Sequence, residues 1–258
     1  MQLKDKVVIV TGSTTGIGEA IARLCVAQGA SVLVHGRDEQ RAKELADELG
    51  ESVAYHIDDM ADAEAPGRIV TTAISKFGRI DGLVNNAGWS KRSDLTATDA
   101  DLFDSIMAVN ARGPMLLVQS AIEHLIKSQG SVVGIGSINS YTGEPQLLPY
   151  SMSKAAHGTM SRNLANVYGR QRVRFNHLNV GWVLTENEYQ LKIKEGLSED
   201  WPEQVAKTHC APSGRMTKPE DIAQHVLFWL SDASRPITGS MVDLEQYPVV
   251  GRMPMAMD

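Results

Sequence analysis

Residues 7–18 read Val7-Val-Ile-Val-Thr11-Gly12-Ser-Thr-Thr-Gly16-Ile-Gly18. The first four form a short continuous apolar run, the pattern of a strand buried on both faces. They lead directly into a glycine-rich turn. A helix is expected next, with Ile17, Ala20, Ile21, Leu24 and Cys25 on one stripe and Gly29 as its stop. In a strand–turn–helix of this kind, Gly12 allows the tight turn and Gly16 lets the backbone approach a pyrophosphate. Gly18 lets helix and sheet pack closely, and the helix N-terminus faces the phosphates. The spacing is G-x-x-x-G-x-G, and a turn without a ligand is the alternative reading.

The same alternation runs outward from this stretch. Ser31 to His35 reads as a strand, Glu39 to Leu49 as a charged amphipathic helix ended by Gly50, and Val53 to Ile57 as a strand. Asp62 is expected to cap a helix carrying Pro66 in its first turn. Ile80 to Asn85, Ser131 to Ser137, Arg172 to Val180 and Ser240 to Leu244 read as further strands. Between them fall a long helical stretch, Thr98 to Lys127, a helix over residues 150–169, and a last helix from Pro219 to Leu230. Residues 181–217 break the rhythm as a long irregular insertion with two short helices, and ordered loops of that length are usually functional. Strands alternating with crossover helices imply parallel pairing. The expectation is a single doubly wound α/β domain over residues 1–258, a parallel sheet of about seven strands with helices on both faces.

Composition narrows the function. The chain has 258 residues and a formal net charge of -6, which argues against nucleic acid or an anionic membrane as partner, since both require a basic surface. Its two cysteines, Cys25 and Cys210, cannot build a disulfide framework and lie in no Cys/His cluster, so no metal site is expected. No apolar run reaches the ~18 residues of a membrane span, and residues 1–6 lead into a strand without a signal-peptide core. A reducing cytoplasm is the expected location.

Two groups of residues carry chemistry. At the end of the second strand, Val34-His35-Gly36-Arg37 offers no carboxylate to a ribose 2′-hydroxyl. Arg37 can grip a 2′-phosphate and stack on adenine, which favours NADP(H) over NAD(H); a solvated arginine opening the next helix is the alternative. Asp59, past the third strand, is placed for an adenine amino group. The second group is Tyr150-Ser-Met-Ser-Lys154 with Ser137 thirteen residues earlier. On a helix, residues four apart share a face, so phenol and ammonium come together. An isolated tyrosine titrates near ~10, and one positive charge at ~4 Å supplies about 4 kcal/mol at an effective dielectric of ~20, enough for acid–base work at cellular pH. The Ser137 hydroxyl would hold a substrate oxygen where charge develops. Taken alone, the pair is also what a packed tyrosine beside a solvated lysine gives.

Together, Thr11-Gly-x-x-x-Gly16-x-Gly18, Asp59, Asn85-Asn-Ala-Gly88, Asn110, Ser137, Tyr150-x-x-x-Lys154 and Ile237-Thr-Gly239 resemble the short-chain dehydrogenases/reductases in order and spacing, over essentially the whole chain. The resemblance implies strand order 3-2-1-4-5-6-7 and interconversion of a secondary alcohol and a carbonyl by NAD(P)(H). It implies Tyr150 as acid/base and Lys154 as the group that lowers its pKa and holds the nicotinamide ribose. Ser137 would bind the substrate oxygen, and Asn110 would bend its helix and keep a relay water. The implied cofactor residues are Gly12, Thr14, Thr15, Gly16, Ile17, Gly18, Arg37, Asp59, Met60, Asn86, Ala87, Gly88, Tyr150, Lys154, Gly181, Val183 and Thr185. A homotetramer or homodimer is implied too. Two departures stand out: Val180-Gly181-Trp182 replaces Pro-Gly after the sixth strand, and Glu245-Gln246 replaces a closing glycine pair, placing a carboxylate and an amide near the active-site mouth or a subunit contact.

Candidate substrate residues are Trp89, Asn139, Tyr141, Gln146, Trp182, Glu186, Asn187 and Trp201. Tryptophan faces beside Asn, Gln and Glu suit a sugar, polyol or sugar acid, although the tryptophans could merely pack the substrate loop. A general carbonyl or ketoacyl reductase, a non-catalytic NADPH-binding sensor and an interaction protein assembled through its long helices are the alternatives.

Overall fold

Consecutive residues of the first strand point to opposite faces of the sheet, and each face has its own helical cover. In the computed structural model, which describes residues 1–208 and 210–247, β1 spans Val7–Val10. Its Val8 and Val10 pack with α1 (Gly16–Ala27), α2 (Glu39–Leu49) and α10 (Pro219–Leu230). Its Ile9 packs with α3 (Ala65–Phe77), α5 (Gly113–Ser128) and Ala165 of α7 (Leu148–Tyr168) on the other side. A strand covered on both faces has no polar side, which is why its sequence is apolar without alternation.

The other strands are β2 (Ser31–Gly36), β3 (Val53–Ile57), β4 (Gly82–Asn85), β5 (Ser131–Ser137), β6 (Arg174–Val180) and β7 (Met241–Leu244). All pairs are parallel and the order is β3-β2-β1-β4-β5-β6-β7. The order reverses between β1 and β4, so the loops leaving these two strands diverge and open a crevice at their carboxyl ends. Thr11 stitches the crevice floor: its Oγ1 donates to the Val84 carbonyl and accepts from the amides of Asn86 and Ala87. Gly18 is obligatory there, since a Cβ would lie 2.3 Å from the Gly12 carbonyl oxygen.

Several expected boundaries change. The Thr98–Lys127 stretch is two helices, α4 (Ala100–Met107) and α5, joined by a π turn at Ala108–Arg112. Asp62 does not cap α3; Glu64 takes the N-cap position, and the Asp62 carboxylate accepts from the Glu64 amide and pairs with Arg68. Arg172 has φ of 63° and ends a short 3₁₀ turn, so β6 begins two residues late. A short helix not expected from the sequence, α6 (Asn139–Thr142), follows β5. The 181–217 insertion carries its two short helices, α8 (Glu186–Lys194) and α9 (Trp201–Ala206).

Candidate active site

Four elements converge where β5 ends. Ser137 is the last residue of β5, while Tyr150 and Lys154 lie one turn apart on α7. The Lys154 ammonium is fixed by donating to the Ile135 carbonyl (2.8 Å) and sits 5.7 Å from the Tyr150 ring centroid. Asn110 stands in the π turn, completely buried. Its Nδ2 donates to the Trp89 carbonyl (2.9 Å) and Ser153 Oγ (3.0 Å), and its Oδ1 accepts from the Trp89 amide (3.0 Å). Ser153 Oγ in turn donates to the Tyr150 carbonyl (2.7 Å). The wide turn therefore ties the β4 loop to the helix that bears the tyrosine.

Electrostatics depart from the expectation for the Tyr150–Lys154 pair. Burial pushes the Tyr150 phenol above its ordinary value, the Ser137 hydroxyl pulls it back down, and the carboxylate of Glu188 raises it further. Lys154 is pushed down to about 8 by burial. In a site this dry, desolvation outweighs the attraction between the two. The lowering influence on the phenol comes from Ser137, and Lys154 is held beside it by the Ile135 carbonyl.

One continuous cleft connects these residues to the crevice between β1 and β4. The part along the glycine turn, about 330 Å³, is bordered by Gly12, Thr14, Thr15, Gly16, Ile17, Gly18, Arg37, Asp59, Met60, Asn86, Ala87 and Gly88. A second chamber shares Ile17, Asn86, Gly88 and Thr185 with it and adds Ser137, Tyr150, Lys154, Gly181 and Val183. Gly12 and Gly16, at φ of 61° and 58°, turn the backbone into the crevice ahead of the α1 N-terminus. A pyrophosphate fits such a cradle, with backbone amides and the positive helix end facing it. Arg37 is 72% exposed at the rim, 3.6 Å from Asp59, whose carboxylate also accepts from the Ala61 amide. Sequence reasoning missed His35 in this wall. Its buried ring accepts the Gly12 amide at Nδ1 (3.3 Å) and its pKa is lowered to about 4 by burial, so it holds the turn as a neutral imidazole.

Beyond Tyr150 the cleft widens into an outer cavity of about 690 Å³ between α7 and α8. Of the candidate substrate residues, Trp182 and Asn139 border it, and Trp89 borders the inner chamber. Asn187 lies on the dinucleotide side. Gln146 and Glu186 line none of these spaces: Gln146 bonds Arg92, and Glu186 bonds Gln190. Tyr141 turns to Asp243. Trp201 is 1% exposed and stacks on Trp182 (5.5 Å, 17°), so it packs the loop rather than meeting a ligand. The polar residues missed include Ser90, Lys91, Arg92 and Glu144, and on α8 and its end Glu188, Lys192 and Glu195, which with Leu191 border the cavity at positions 188, 191, 192 and 195. That is helical spacing for one face, and it was present in the sequence once α8 was placed. Of the closing pair, the Glu245 carboxylate accepts from the Trp182 amide (3.0 Å) and fills the space a side chain at Gly181 would need. Gln246 ties down residues 213–217. Both residues buttress the loop from behind.

Residues 12–245 match the family described as enoyl-(acyl carrier protein) reductase. Among curated relatives, L-rhamnose 1-dehydrogenase (NAD(P)(+)) of Azotobacter vinelandii is 33% identical, over 93% of this chain and 95% of its own. L-fucose dehydrogenase of Bos taurus is 33% identical, over 89% of this chain and 84% of its own. The 3-oxoacyl-[acyl-carrier-protein] reductase FabG of Thermotoga maritima is 30% identical, over 95% and 98%.

Proposed function

The chain belongs to the short-chain dehydrogenase/reductase family of NAD(P)-binding oxidoreductases that act on alcohol groups, and from that premise we propose that it interconverts a secondary alcohol and a carbonyl on a sugar, polyol or sugar acid, using NADP(H) and Tyr150 as acid/base. The observation that carries this reading is the single cleft that joins the glycine turn to Ser137, Tyr150 and Lys154. A bound nicotinamide supplies the hydride acceptor or donor, so that alcohol and oxidised cofactor give carbonyl, reduced cofactor and one proton. In the oxidising direction the Tyr150 oxygen takes the hydroxyl proton. Ser137 donates to the same substrate oxygen and stabilises charge there. Lys154, held against β5 through the Ile135 carbonyl, is positioned to bind the ribose. Asn110, tied to Ser153 and Trp89, keeps the polar path behind Tyr150 in place.

Arg37 is the proposed 2′-phosphate ligand: it stands at the rim with no carboxylate closer than Asp59 at 3.6 Å. Arg37→Asp should raise KM for NADP+ by at least about tenfold, the loss of a charge-assisted bond, while NAD+ is spared. An unchanged cofactor ratio would remove Arg37 from this role.

The outer cavity favours a polyhydroxylated substrate, because Asn139, Glu188 and Ser90 border it beside Trp182. The L-fucose and L-rhamnose enzymes among the relatives point the same way. A ketoacyl reductase is the second reading, favoured by the FabG relative; the charged lining of the cavity speaks against an acyl chain. A screen of neutral sugars, polyols, sugar acids and acyl thioesters, read as reduced-nicotinamide absorbance with each cofactor, separates the two. Turnover confined to acyl thioesters would overturn the sugar reading.

No helix among the described residues is long and apolar enough to cross a membrane, and both cysteines are free, in keeping with a reducing cytoplasm. Met115 on α5 and Met152 and Val167 on α7 are about half exposed, a surface suited to pairing with further copies of the chain as a dimer or tetramer.

A further inference from the structure

We propose that Glu188 determines specificity by holding the hydroxyl next to the reacting carbon, so that the substrate is a neutral vicinal diol, a sugar or polyol without a carboxylate. This deepens the reading above and rests on its placement of the reacting centre at Ser137 and Tyr150. Glu188 is the acidic residue that borders both the chamber containing those two residues and the outer cavity. Its carboxylate is aimed rather than loose. Oε1 accepts from Trp182 Nε1 (2.9 Å), Lys192 stands 3.8 Å away, and the Glu188 amide donates to Thr185 Oγ1 (3.1 Å) at the start of α8. Oε2 makes no hydrogen bond within the described residues, and the side chain is 25% exposed. A carboxylate oxygen can only accept, so this one is open to a donor from a ligand in the cavity. A substrate O–H supplies that donor.

The charges around the cavity complete the argument. Two of its three bordering cations are already engaged: Lys192 pairs with Glu195 (2.8 Å), and Arg92 pairs with the same carboxylate (2.9 Å). Lys91, at the exposed rim, is the bordering cation without a carboxylate partner among the described residues. A substrate carboxylate in place of that hydroxyl would meet the like charge of Glu188, while Lys192 and Arg92 are paired and Lys154 donates to the Ile135 carbonyl. The field of Glu188 does reach Tyr150, whose phenol it raises.

The test uses two matched sets on the full chain: galactose and 2-deoxygalactose, and butane-2,3-diol, butan-2-ol and lactate, whose carboxylate stands where the diol has its second carbinol. In the wild-type protein, kcat/KM for the neutral diol should exceed that of the analogue lacking the neighbouring hydroxyl by on the order of ten- to a hundredfold, the range of a charge-assisted hydrogen bond. The acid should be poorest. Glu188→Gln keeps an oxygen for Trp182 Nε1 but not the charge, and should collapse the diol advantage toward unity, chiefly through KM. Tryptophan fluorescence of the cofactor-loaded protein, titrated with each neutral diol, reads binding without turnover. An undiminished diol advantage in Glu188→Gln, or a wild-type preference for the acid, overturns the proposal. Glu188-dependent binding without turnover supports it while faulting the catalytic reading; neither binding nor turnover in both sets overturns it.

Discussion

At Tyr150 the balance of burial against neighbouring charge sets the direction of the pH response. The phenol lies above its ordinary value, and alcohol oxidation needs it deprotonated, whereas carbonyl reduction needs it protonated. Oxidation measured as kcat/KM should therefore rise with pH across the alkaline side of neutrality, while reduction holds near neutrality and falls as the phenol ionises. An oxidation rate that peaks in mild acid would exclude Tyr150 as the base. The residues of this site were legible in the sequence because each belongs to a short motif whose spacing is its geometry. Tyr150 and Lys154 share a helix face, and Ser137 ends a strand. The size and sign of the shifts were not legible, since they depend on how dry the site is and on Glu188, which reaches Tyr150 from a different element.

Between elements, the fit of β5 to β6 rests on missing side chains. A Cβ at Gly136 would lie 2.1 Å from His177 Nε2, and one at Gly134 would lie 2.5 Å from His177 Nδ1. The two glycines on β5 make room for the His177 ring on β6, which meets His157 of α7 edge-on at 4.9 Å. Gly136→Ala should lower stability by about 1–3 kcal/mol through overpacking, seen as a fall in the denaturation midpoint. Adding His177→Ala should recover part of that loss, because the two positions contact each other. Strictly additive effects would contradict the packing described. The strands themselves were readable from their apolar runs, and α1 from its stripe. The resemblance implied a bend at Asn110, and the π turn at Ala108–Arg112 stands there, although the apolar pattern alone did not mark it. Nor did it mark the start of α3, where Asp62, the better capping residue by type, instead accepts from the Glu64 amide and pairs with Arg68 of α3 itself.

Across the fold as a whole, three histidines among the described residues are buried and held neutral. His35 is lowered to about 4, His177 to about 3, and His157 well below its ordinary value, each mainly by desolvation. In the unfolded chain they titrate near ~6.5, so unfolding takes up protons as the pH falls below that value. The stability they carry is complete above about pH 6.5 and is lost on the way down toward their folded values. Three such groups give a slope of roughly 4 kcal/mol per pH unit between about pH 6 and 4. Urea denaturation across that range should show a steep loss of midpoint, and a flat profile would mean that the imidazoles are protonated in place. The overall architecture was the most legible feature of all, since strand–helix alternation and the glycine turn leave few topologies. The outer cavity was the least legible, because its lining is assembled from α7, α8 and the β4 loop. The most direct test of the central claim is single-turnover hydride transfer by Tyr150→Phe beside the wild-type protein, with NADP(H) binding followed in the same samples. The variant should bind cofactor as the wild type does and lose on the order of 10²–10⁴-fold in turnover, the range of a general acid/base; turnover retained with equal cofactor binding would contradict it.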